Sequence, residues 1–108
     1  GNKLPDFIFP GSIEYHDKDY SSDKLVFLGA KTTCKDRWRQ ILNEADRIPV
    51  KHLFTLQQGI SRNQLEEMRL NHVVLVVPRV HVTSFPKDHR SCIMNLMHFI
   101  AYVKAKQC

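Results

Sequence analysis

Lys24 to Asp46, KLVFLGAKTTCKDRWRQILNEAD, is the stretch whose reading decides the fold. Leu25, Phe27, Gly29 and Lys31 share one face of a strand, and Val26, Leu28 and Ala30 the other. Apolar residues on both faces predict a strand covered from both sides, over Lys24 to Lys31, with Thr32 and Thr33 able to extend it. A lysine closing such a run is unusual. Removing an ammonium from water is costly unless a carboxylate meets it or the strand ends at a cleft. From about Lys35 a period of 3.6 takes over: Trp38, Ile41, Leu42, Ala45 and Ile48 line one helical face, and Pro49 ends the helix.

Two carboxylates are candidates to meet Lys31, Asp6 before it and Glu44 after it. If the strand runs to Cys34 and the helix starts near Asp36, Lys31 lies roughly 16 Å back along the strand. Glu44 then lies roughly 12 Å along a helix that folds back over it, so the two come level. A start at Thr33, where Thr33 and Asp36 match a capping box, separates them; the late start is the one adopted. Two carboxylates can hold Mg²⁺, a hard ion that prefers oxygen, and a nearby lysine stabilises charge developing on a phosphate. Asp6, Lys31 and Glu44 supply that set.

Working outward, Phe7 to Phe9 form a short strand with Asp6 at its rim, stopped by Pro10-Gly11. Ser12 to Tyr15 reads as another short strand and His16 to Asp23 as a loop. Downstream, Leu53 to Gln57 is a strand ended by Gly59. Ser61 caps a helix over Arg62 to Asn71 whose inner side is Leu65, Met68 and Leu70. The run Val73 to Val77 is a buried strand closed by Pro78, His81 to Asp88 is connection, and Arg90 to Lys106 is the longest helix. Three strands in sequence followed by alternating helices and strands predict an α/β fold, a mixed central β-sheet flanked by helices.

The 108 residues suffice for one core, so residues 1–108 read as a single domain. The chain reaches a strand pattern almost at once, as the later part of a longer polypeptide would. A net charge of +5 suits a phosphate-bearing partner. Cys34, Cys92 and Cys108 are odd in number and lack C-x-x-C spacing, which points away from disulfides and zinc ribbons and toward a reducing, cytoplasmic setting. The six histidines show no paired metal spacing, and no apolar run approaches the ~20 residues of a membrane span.

The pattern Pro5-Asp6, then GAKTTCKDRWRQILNEAD from Gly29, then KHLFTLQQGIS from Lys51, resembles the catalytic domain of EcoRII-type type II restriction endonucleases, within the PD-(D/E)xK nuclease superfamily. The resemblance runs from Pro5 to about Pro78. It implies a restriction-endonuclease-like core, with Asp6 and Glu44 as Mg²⁺ ligands and Lys31 as the catalytic lysine. The common superfamily pattern has an acid two residues before the lysine, where this chain has Gly29. The EcoRII-like branch is similar in drawing that acid from the following helix, at the position of Glu44. The resemblance also implies a role for Tyr15 at the active site and contacts from Lys35 and Arg37 to backbone phosphates of double-stranded DNA. Enzymes of this type resemble homodimers cutting CCWGG-like sites, with base-reading elements largely upstream.

Plainer readings stand beside these. Lys31 could snorkel to water, Glu44 could pair on a helix surface, Asp6 could be a turn residue, and Arg37 and Arg39 a solvated face. Trp38 reads as core. A DNA-binding or dimerisation module that does not cut, and a repair or recombination nuclease of the same superfamily, are the alternative functions.

Overall fold

The computed structural model describes residues 7–34 and 37–108, with the side chain of Arg37 excepted. They form a five-stranded sheet: β1 (Phe7–Phe9), β2 (Val26–Lys31), β3 (Lys51–Thr55), β4 (Val73–Val77) and β5 (Met94–Asn95), side by side in chain order. β1 runs antiparallel to β2, with Phe7 opposite Leu28 and Phe9 opposite Val26, and the other pairs are parallel. Helices α1 (Ser12–His16), α2 (Arg62–Leu70) and α3 (Leu96–Gln107) complete the fold with four stretches of 3₁₀-helix. The expected mixed sheet is therefore present.

β2 is covered from both sides, as its two apolar faces require. Leu25 and Phe27 join the larger core with Trp38, Ile41, Leu53, Leu65, Met68, Leu75 and Val77. Val26 packs on the opposite side with Val76 and Phe99, flanked by Leu28, Phe54 and Tyr102. Ser61 caps α2 through its hydroxyl, which accepts from the Gln64 amide at 3.2 Å. The strand before it ends two residues earlier than expected, and Gly59 takes φ +69°, a conformation that costs glycine little.

Four elements differ from expectation. Ser12 to Tyr15 belongs to α1, because Pro10-Gly11 turn the chain off the sheet and Gly11 O accepts from the Tyr15 amide at 3.2 Å. The helix expected from Lys35 to Ile48 is a 3₁₀-helix over Arg37–Asn43, and the chain then turns with Ala45 at φ +51°. Burial there recurs every three residues, at Trp38 and Ile41 and then at one carboxylate oxygen of Glu44, which is the stripe a 3₁₀ turn presents. The long last helix is divided. Lys87–Cys92 forms 3₁₀ turns, Met94–Asn95 adds to the sheet edge, and Asn95 caps α3 by accepting from the His98 amide at 2.8 Å. Finally, Leu70 is 64% exposed, whereas Leu65 and Met68 are buried.

α3 covers the second face of the sheet with Phe99, and beneath it lies His52, buried between the rings of Phe99 and Tyr102 at 5.2 and 4.8 Å. Burial pushes the His52 imidazole down to about 4; a backbone bond to Phe27 opposes the shift and the Lys106 charge adds to it. Between pH 6.5 and 4 the unfolded chain takes up a proton that the folded chain refuses. Stability is thus complete above about 6.5 and falls as pH drops toward 4, by about 3 kcal/mol in all. Urea titrations across this window should show the loss, and in His52→Leu this part of the slope should vanish.

Candidate functional site

Lys31 ends β2 at the rim of the sheet, half-buried, paired in register with Thr55 of β3. A cavity of about 220 Å³ opens beside it, lined by Ala30, Lys31, Thr32, Phe54 and Leu56. β2, β3 and β4 are parallel, so their C-terminal ends share this rim. Beyond β3 come Gln57 and Gln58, and beyond β4 the 3₁₀-helix Arg79–Ser84 with exposed Arg79. Open α/β sheets bind their ligands at such ends, where side chains lie past the last ladder bonds. The antiparallel register also carries the Phe7 end of β1 toward this side, whereas Phe9 lies at the Val26 end.

Tyr15 and Glu44 are held by a different group of contacts. The Arg47 guanidinium donates to the carbonyls of Tyr15, Asp17 (3.0 Å) and Tyr20 (2.5 Å) and to the Ser22 hydroxyl (3.1 Å). It thereby fastens α1 and the following loop to the turn after the 3₁₀-helix, and lies 5.7 Å from the centre of the Tyr15 ring. Lys51, 3% exposed at the start of β3, donates from Nζ to Ala45 O (2.9 Å) and Ile48 O. Burial lowers its pKa, against the opposing charges of Asp46 and Glu44. Glu44 thus stands within electrostatic reach of Lys51, whose register partner is Phe27. Lys31 lies four residues farther along β2, roughly 13 Å. Gly29 is buried on the face it shares with Lys31. Asp6, Lys35 and the side chain of Arg37 lie outside the described residues.

The comparisons fit this architecture. The family model described as EcoRII C terminal matches residues 1–100. The chain belongs to the EcoRII C-terminal family. It is 54% identical over 101 residues to the type II restriction enzyme EcoRII of Escherichia coli, a match spanning 94% of this chain and 25% of that protein. It is 26% identical over 76 residues to the type II restriction enzyme SsoII of Shigella sonnei, covering 68% of this chain and 24% of that one. The fold is similar to metal-depleted Ecl18kI in complex with uncleaved DNA and with uncleaved, modified DNA. Each has TM-score 0.76 at 20% identity, over 92% of this chain and 33% of the other. The chain therefore spans about a quarter of the curated relatives it matches and a third of the solved chains, and its sheet and helices are a restriction-endonuclease-like core.

Within this EcoRII C-terminal core, sequence reasoning overlooked Arg47 and Lys51. Apart from the Ser22 hydroxyl, their partners are backbone carbonyls, which no side-chain pattern advertises. Lys51 opens β3 two residues before Leu53, where the sequence placed the strand start, and so was left outside it. Among the described residues no cluster of three His, Cys, Asp or Glu could hold a metal ion, and no helix is long and apolar enough to cross a membrane. Cys34, Cys92 and Cys108 are all thiols.

Proposed function

We propose that this chain is the cleavage core of a type II site-specific endodeoxyribonuclease that hydrolyses phosphodiester bonds of double-stranded DNA with Mg²⁺, at CCWGG-like sites, as part of a homodimer in the cytoplasm. The observation that carries the reading is a half-buried lysine at the C-terminal rim of parallel strands, in a chain of the EcoRII C-terminal family. Lys31 directs its ammonium to the scissile phosphate and the attacking water, where it stabilises charge that grows in the transition state. Asp6 and Glu44 would hold Mg²⁺; two carboxylates are the oxygen donors this hard ion takes, and when bound it would supply further positive charge to the reaction. Lys35 and Arg37 grip neighbouring phosphates and fix the register of the duplex, and Tyr15 belongs to the active site. The thiol state of all three cysteines suits a reducing compartment.

Incubation of the chain with duplex DNA containing CCWGG, in Mg²⁺ or in EDTA, tests this. Discrete fragments in Mg²⁺ alone are the expected result. The chain's quarter share of its curated relatives supports a second reading, a module that binds DNA and leaves cutting to a longer protein. Binding that weakens steeply with salt and yields no Mg²⁺-dependent fragments would establish that reading and overturn the first.

A further inference from the structure

β2 ends at Lys31, and the next residues have left the sheet: Thr32 and Thr33 are exposed. Ladder hydrogen bonds do not continue past the lysine, yet the chain there is tied down from the neighbouring strand. Thr55 is the register partner of Lys31, so the two side chains are neighbours on one face. Its hydroxyl is fully buried. It donates to Thr32 O at 3.2 Å and accepts from the Gln57 amide at 3.1 Å and from Cys34 Sγ at 3.8 Å. That is one donor and two acceptor sites, all used. Gln57 Oε1 in turn accepts from the Cys34 amide at 2.7 Å, and Cys34 is itself fully buried. A clasp therefore grips the first and third residues after Lys31.

A core filler at position 55 would be apolar, as Leu53 is on the same face of the same strand. A buried hydroxyl is costly unless bonded, so the threonine is explained by what it holds. Strand ends open more readily than strand centres, and an opening at Thr32 would release the lysine from its fixed approach to the rim. Small misplacements of a reacting group lower the chemical step far more than they lower binding. We infer that Thr55 and Gln57 are positioning residues, which hold Lys31 in its working orientation by clasping Thr32 and Cys34. The inference rests on the proposed role of Lys31.

The test compares Thr55→Val, which removes the hydroxyl and keeps the shape, with Thr55→Ser, which keeps the hydroxyl. Both are made in the parent and in Lys31→Ala. Thr55→Val should lower kcat about 10- to 100-fold with KM within about threefold, and Thr55→Ser should stay within about threefold of the parent. On the Lys31→Ala background Thr55→Val should change nothing further, because the residue it acts through is gone. Amide exchange needs no activity: in Thr55→Val the Gln57 amide should exchange at least about tenfold faster while the Leu53 amide keeps its protection. Thr55→Val at the parent's kcat, equal losses in the Val and Ser variants, an additive loss with Lys31→Ala, or unchanged Gln57 exchange would each overturn the inference. A parent that does not cut, or a Lys31→Ala variant that cuts normally, instead overturns the role of Lys31 and the clasp's purpose with it.

Discussion

Lys31→Ala is expected to cut DNA about 10²- to 10³-fold more slowly than the parent in single-turnover assays at saturating Mg²⁺. The size follows from position. A charge at a half-buried rim is worth more to a developing negative charge than one in open water, because less solvent screens it. Lys31 is also carried by a strand rather than a loop, with β3 alongside it, so its approach is set before substrate arrives. The loss should fall on the chemical step. DNA affinity measured with Ca²⁺ in place of Mg²⁺ should move little, since many phosphates share the binding. Folding stability should stay within about 0.5 kcal/mol, because a lysine at a strand end supports little of the core. Cleavage within about threefold of the parent would remove Lys31 from the chemistry and return it to the plainer role of a lysine snorkelling to water.

The elements legible in the sequence are those whose partners are water or the core. Val73–Val77 is a continuous apolar run bounded by Pro78, and it forms β4 within those limits. Phe7–Phe9 and the body of β2 followed from the same reasoning, as did the cap at Ser61. Periodicity failed where side chains from outside the element take over the backbone. The apolar spacing from Trp38 to Ile48 suits an α-helix, but Lys51 draws the carbonyls of Ala45 and Ile48 to its ammonium, and the helix stops at Asn43. Ile93 is buried in the larger core before the chain joins the sheet edge, so the stretch read as one helix from Arg90 is three elements, the end of the 3₁₀-helix Lys87–Cys92, β5 and α3. At the candidate site, Lys31 was legible because a charge closing an apolar strand is conspicuous. Its support was not. Thr55 and Gln57 are ordinary residues for a strand and its exit, and only the parallel register brings them beside the lysine.

Trp38→Ala should destabilise the fold by about 3–5 kcal/mol, among the largest losses available to a single substitution in this chain. Trp38 is fully buried in the larger core with Ile41, Leu65 and Met68, so truncation leaves a void the rigid sheet beneath cannot fill. Its indole Nε1 also donates to Gln64 Oε1 at 2.6 Å, and that bond fastens the 3₁₀-helix Arg37–Asn43 to the first turn of α2. The two contributions separate by substitution. Trp38→Phe keeps most of the apolar volume and loses the hydrogen bond, so it should cost only about 1–2 kcal/mol. Because Trp38 is the chain's single tryptophan, urea unfolding of both variants has to be followed by circular dichroism rather than by fluorescence. A midpoint for Trp38→Ala within about 1 kcal/mol of the parent would mean that the 3₁₀-helix is dispensable to the core. The expected larger loss has a bearing on the site, since Glu44 follows directly on this helix and the Glu44 amide donates to Ile41 O at 3.1 Å. Loosening Trp38 would then free the segment that carries the proposed metal ligand, and cleavage should fall with stability even under conditions where Trp38→Ala remains folded.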